Sequence, residues 1–208
     1  MREASLFIVL TAMLVAFSQA ADPAATTSKP EQFLMLPEPR AMGSNISKNY
    51  AGSQHTVFTP ARQNDDGHGI RVYSQAEFAK LGISWETFLE RAQAAADKRL
   101  ASLQPEWKKD DGGRVLYAVY HSEEPIMATL LLAPSLAKVF KNIFAGGVWL
   151  AAPNRNTLYV FPAKSEVVES FAESLQDQFD DNPFAASDEI FALKADEGQF
   201  RVIASFKK

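Results

Sequence analysis

The spacing of apolar positions is most regular from Ser74 onward. Ser74-Gln75-Ala76-Glu77 has the form of a capping box, in which Ser and Glu side chains satisfy free amides of a helix's first turn. It predicts a short helix ending at Gly82. Ser84 is placed to cap a second helix. Trp85, Phe88, Leu89, Ala92, Ala96, Leu100 and Leu103 follow at steps of three and four, and Pro105 stops the run. "RVLYAVY", Arg114 to Tyr120, is dense in β-branched and aromatic residues and predicts a strand after the turn "DDGG". "IMATLLLA", Ile126 to Ala133, fits either strand or helix, and strand is preferred because Pro134 would then open a helix over "PSLAKVFKNIF", with Gly146-Gly147 ending it. "VWLAA" and "TLYVF" flank Pro153-Asn154-Arg155-Asn156. Because Pro and Asn are turn formers, this stretch predicts a β-hairpin with Trp149, Leu158 and Val160 as candidates for burial. Ser165 then caps a helix with Val167, Val168, Phe171, Leu175 and Phe179 on one face. "EIFALK" and "FRVIASF" flank Ala195-Asp196-Glu197-Gly198 as a second hairpin.

Upstream, "TVFT" and "IRVY" are short strand-like runs around the polar loop Arg62 to Gly69. Residues 21 to 54 hold Pro23, Pro30, Pro37 and Pro39 and little periodicity, so they read as a leader or linker. Phe33 to Leu36, "FLML", is its one apolar patch, able to dock on the domain. The pattern predicts a single α+β domain over residues 55 to 208. Its mixed or antiparallel sheet has about six strands with hairpins, packed against three to four helices.

The N-terminus changes the picture of where the protein works. Arg2, an uncharged run from Leu6 to Phe17 and the small residues around Ala20 form the three parts of a secretory signal, predicting cleavage after Ala20. The run is too short to cross a bilayer, and no later run is long and apolar enough, so no membrane span is expected after cleavage. The chain has no cysteine, which excludes disulfides, a thiol nucleophile and a thiolate metal site. A net charge of −4 with scattered signs argues against binding nucleic acid. The whole reads as a periplasmic or secreted bacterial protein.

Candidate chemistry is sparse. Asp65, Asp66 and His68 crowd one loop, and His121 stands beside Glu123 and Glu124. Oxygens and imidazoles of this kind bind divalent cations, but neither group has a known ligand spacing, and each reads first as a solvated turn. A hydrolase or metal-dependent enzyme would need the fold to assemble His68, Asp65, His121 and Glu123. No G-x-S-x-G, G-x-G-x-x-G or P-loop motif occurs, so no cofactor is expected. Asp177, Asp180 and Asp181 sit at a helix end, where a cation would offset the dipole. Asn154, Arg155 and Asn156 are the candidate binding residues. A guanidinium at a hairpin tip could grip a carboxylate or phosphate of an envelope protein or peptide. The preferred reading is a non-enzymatic binding or accessory module of the bacterial envelope.

"VWLAAPNRNTLYVF", preceded by "IMATLLLAPSLAKVF" and followed by "NPFAASDEIFAL", resembles the uncharacterised bacterial YtpQ-like family, as does "FAKLGISWETFLERAQAAADKRL". The resemblance runs from about Phe78 to Phe206. It implies an α+β fold and no established activity. Pro153 and Arg155 match the family's Pro-x-Arg turn. Asn156 stands where that turn usually has Asp, and the signal sequence departs from a family associated with the cytosol.

Overall fold

The structure, a computed structural model, describes residues 30–194 and 200–207. The signal sequence and the turn Ala195 to Gly198 lie outside the described residues. The chain forms β1 (Leu34–Pro39), β2 (Thr56–Gln63), β3 (Ile70–Val72), α1 (Gln75–Lys80) and α2 (Trp85–Ala101). It continues through β4 (Glu106–Lys109), β5 (Val115–His121), a 3-10 helix (Met127–Leu132), α3 (Leu136–Phe140), β6 (Val148–Ala151) and β7 (Thr157–Pro162). It ends with α4 (Val167–Asp180), β8 (Glu189–Leu193) and β9 (Phe200–Ser205). A three-stranded sheet has the order β1-β2-β3, and a six-stranded sheet the order β4-β5-β7-β6-β8-β9. All described pairings are antiparallel. This is an α+β fold with both expected hairpins paired, β6 to β7 and β8 to β9.

Local signals set the helix starts. The Ser74 hydroxyl accepts from the Glu77 amide while the Glu77 carboxylate accepts from the Ser74 amide, completing the capping box of α1. The Ser84 hydroxyl accepts from the Thr87 amide at the head of α2. On α2, Trp85, Phe88, Ala92, Ala96 and Leu100 are buried, as their spacing requires. At the far end of α4 the Asp180 carboxylate receives a cation, the Lys207 ammonium at 3.4 Å.

The six-stranded sheet is covered on both faces. Ala118, Tyr120, Leu158, Val160, Leu150 and Phe191 point into the main core, which they share with α2, the 3-10 helix and the three-stranded sheet. Phe58 of β2 meets Phe191 edge-on at 6.3 Å across that junction. The opposite face carries Ala151, Phe161 and Ile190, packed under Val168 and Leu175 of α4.

Three expectations need correction. The first concerns "FLML". Leu34, Met35 and Leu36 are at most 1% exposed, and they belong to the main core as part of β1. The fold therefore begins within the stretch read as a leader. Pro37 and Pro39 are compatible with a strand because β1 lies at the edge of its sheet, where a missing N–H disrupts no inner ladder. The second concerns Ile126 to Ala133. Met127–Leu132 is a 3-10 helix with all six residues buried. A short, continuously apolar run looks the same in either form. Here Thr129 holds the helical form by bonding back to the Ile126 carbonyl at 2.6 Å. The third concerns Trp149. It is half-buried, on the α4 face and not in the main core.

Candidate functional site

The loop "PNRN" does join β6 to β7, but its tip is not presented to solvent. Asn154 is 5% exposed. The Arg155 side chain is 14% exposed, and its Nη2 donates to Glu38 Oε1 at 2.7 Å, itself on a side chain 6% exposed. The segment 182 to 187 lies over the loop. The Arg155 amide donates to the Phe184 carbonyl, and the Ala186 amide donates to the Pro153 carbonyl. Asn156 is bonded to the carbonyls of Ser122 and Glu123. Burial lowers the Arg155 guanidinium from its usual value, and the Glu38 carboxylate opposes that shift. Arg155 thus clamps β1 to the β6–β7 hairpin, and its donors are turned inward. This replaces the exposed recognition tip expected from the sequence.

The histidine and carboxylate candidates do not converge. His68 Nδ1 is 3.1 Å from Glu124 Oε1, and Asp65 binds Arg62 at 2.7 Å. His121 pairs with the Thr157 hydroxyl. Asp66 accepts from the His68 amide. Among the described residues no group of three His, Asp or Glu side chains could hold a metal ion.

The sequence reading passed over His55. Its Nδ1 lies 2.9 Å from Asp188 Oδ2, on a side chain 7% exposed. Beside it, the buried Glu189 carboxylate accepts from the Gln54, His55 and Thr56 amides. This network ties the start of β2 to the start of β8. The Ser205 hydroxyl donates to the Asp188 carbonyl at 3.1 Å, and the His55 ring bonds to the Asp188 carboxylate. Asp188 orients the His55 ring, and among the described residues no hydroxyl is hydrogen-bonded to it.

An apolar concavity lies on the α4 face. Register places Arg201, Ala192, Trp149 and Phe161 in one row across β9, β8, β6 and β7. Paired residues of antiparallel strands point to the same face. The 14-residue α4 sits over the β5–β7 side, where Phe171 meets Tyr117 at 4.8 Å and Gln178 accepts from the Tyr159 hydroxyl. Six strands span about 24 Å and a helix with its side chains about 10–12 Å. One helix therefore covers Ala151 and Ile190 but leaves part of this face open around Trp149, Ala192 and Ile203. The result is a cavity of about 400 Å³, whose wall includes Trp149, Val168, Ala172, Ala192, Ile203 and Phe206. Its size and apolar lining suit a small ligand. Lys164, Lys194 and Arg201 stand at its rim with Glu169. The hydrophobic spacing of α4 was readable, but the shortage of helix over strand was not, because it depends on sheet order.

Comparisons with protein-family models, with curated proteins and with solved structures give no match to this chain. Among the described residues no helix is long and apolar enough to cross a membrane.

Proposed function

We propose that the protein is a binding module, exported to the bacterial envelope as an accessory protein, and that its binding site is the groove beside α4. The observation that carries this reading is an apolar concavity between α4 and β6, β8 and β9, floored by Trp149 and Ala192. Export rests on the three-part N-terminal signal, and an intact mass beginning at Ala21 in a periplasmic fraction tests it. Family kinship stays with the YtpQ-like resemblance, which implies a fold and no reaction.

The groove is tested with N-phenyl-1-naphthylamine, a neutral apolar dye that brightens when it leaves water. The full chain is expected to bind it. Ile203→Glu, at an exposed position of the groove wall, should abolish binding while leaving the circular dichroism spectrum unchanged. Equal brightening by the parent and by Ile203→Glu would remove the groove as the site.

A further inference from the structure

The cations around the groove are gathered at one end. Val148 pairs with both Pro162 and Leu193, and Leu193 pairs with Phe200. One step beyond that row stand Gly147, Ala163 and Lys194, with the Ala163 amide donating to the Gly147 carbonyl at 3.1 Å. Lys164 follows with φ at 61°, a left-handed conformation uncommon for a side-chain-bearing residue. Arg201 enters from the other side, paired with Ala192 one step inside the row. Gly147 is needed at this point. A Cβ on it would come within 2.8 Å of the Leu193 carbonyl oxygen, and its φ is +103°. Gly147 thus lets β6 approach the end of β8 closely, and the groove lining at this end includes its neighbour Gly146, which has no side chain, together with Lys164 and Arg201. Lys194 stands in the same rim and has an interaction of its own.

The other end has the opposite character. Near Phe206 the surface beside α4 is lined by Glu173, Gln176 and Asp177. Glu169 borders both regions. An occupant with a negative head and an apolar body would thus be aligned, head between Lys164 and Arg201 and body over Trp149, Ala192 and Ile203. A positive head would be drawn to the acidic end.

Charge and edge pairing choose among occupants. An α-helix, about 10–12 Å across with its side chains, would rest on the groove by one face only and leave most of its surface in water. Strand addition at β9 is obstructed, because the outward Val202 amide already donates to the Ala51 carbonyl at 3.0 Å. A single unbranched chain needs no free strand edge and can lie along the apolar floor over its whole length.

We propose that the groove beside α4 binds a free single-chain fatty carboxylate, its alkyl chain on the apolar floor and its carboxylate between Lys164 and Arg201. This rests on the groove being the binding site, and it names the ligand class. Head charge decides orientation and selectivity, while the tail supplies the burial.

The test holds the tail constant and changes the head. Dodecanoate, dodecan-1-ol and dodecyltrimethylammonium, each below its micellar concentration, compete with N-phenyl-1-naphthylamine for the full chain. Dodecanoate should compete best, by roughly tenfold over the ammonium compound, as two partly exposed ion pairs allow. Lys164→Glu with Arg201→Glu should erase or reverse that order while dye binding persists. If dye binds the parent but not Ile203→Glu, and the three heads compete equally, the groove stands and the ligand class is overturned. If dye binding ignores Ile203→Glu, the groove itself fails. Two further results would overturn the free carboxylate: an acidic amphipathic peptide that displaces the dye where dodecanoate does not, or phosphatidylglycerol vesicles that capture the parent but neither Ile203→Glu nor the charge-reversed protein, while dodecanoate fails to compete.

Discussion

Replacing Arg155 by alanine separates a structural clamp from an exposed recognition residue. The guanidinium of Arg155 is 2.7 Å from Glu38, and both side chains are largely buried, at 14% and 6% exposure. Arg155→Ala leaves the Glu38 carboxylate buried and unpaired. Breaking such a pair from one side costs about 3–5 kcal/mol, because an uncompensated charge remains. Arg155 also lies over the Phe184 ring, its guanidinium carbon 5.8 Å from the centroid, a contact worth about 0.5–1 kcal/mol. Water entering the vacated space relieves part of the charge penalty, so a loss of about 3 kcal/mol is expected. In a domain of this size that lowers the Tm by roughly 6–12 °C. Urea titration followed by tryptophan fluorescence gives the free energy, and a circular dichroism melt gives the Tm.

The double variant is the sharper measurement. Glu38→Leu with Arg155→Leu removes both charges, and it should be more stable than Arg155→Ala alone, since replacing a buried pair by apolar groups is often nearly neutral. If Arg155→Ala melts within a degree of the parent, the pair contributes nothing and Arg155 returns to being a surface residue. If the double variant is no better than the single one, the loss comes from packing and not from a stranded carboxylate.

Two other expectations follow from single contacts. A chain beginning at residue 40 lacks β1, and with it three fully buried core residues; it should show no cooperative urea transition, and a two-state melt close to the parent's would place β1 outside the folding unit. The His68 imidazole is held above its usual range, first by its hydrogen bond to Glu124 and then by that residue's charge. A raised histidine stabilises the folded state most below its ordinary pKa of about 6.5, and the contribution disappears as pH rises through the folded value. Glu124→Gln should therefore bring the His68 titration, followed by nuclear magnetic resonance of its ring protons, back toward the ordinary value; an unchanged curve would mean that the contact is absent in solution.

These cases show which features a linear reading reaches. Ser74, Glu77 and Ser84 were legible because a cap involves residues three apart. The pairing of β6 with β7 was legible for the same reason. The burial of Arg155 was not, since what covers it comes from Glu38 and from the segment around Phe184, distant in the chain. β4 was missed because "EWKK" lacks the strand-forming density of its neighbour β5. β1 was missed because prolines argue against a strand until its place at a sheet edge is known. The groove was hidden for a related reason: it exists because α4 covers only part of the sheet face that carries Trp149 and Ala192.

The two edges of the six-stranded sheet make the composition of that uncovered area informative. β4 is one edge, and it reads Glu106, Trp107, Lys108, Lys109, with the Lys108 ammonium bonded to Glu106. Charge on an edge strand is a common defence against unwanted pairing. β9 is the other edge. Its one charged residue among the six is Arg201, and it leaves Ile203 37% exposed and Ala204 exposed beside the groove. If this face simply met solvent, polar residues could stand at Trp149, Ala192 and Ile203 at no cost to the main core, because strand side chains alternate and these lie on the other side from Leu150 and Phe191. Apolar residues fill the floor and cations stand at one end of it. An occupant that is apolar along its length and negative at its end accounts for both halves of that arrangement, whereas a requirement for stability alone accounts for neither.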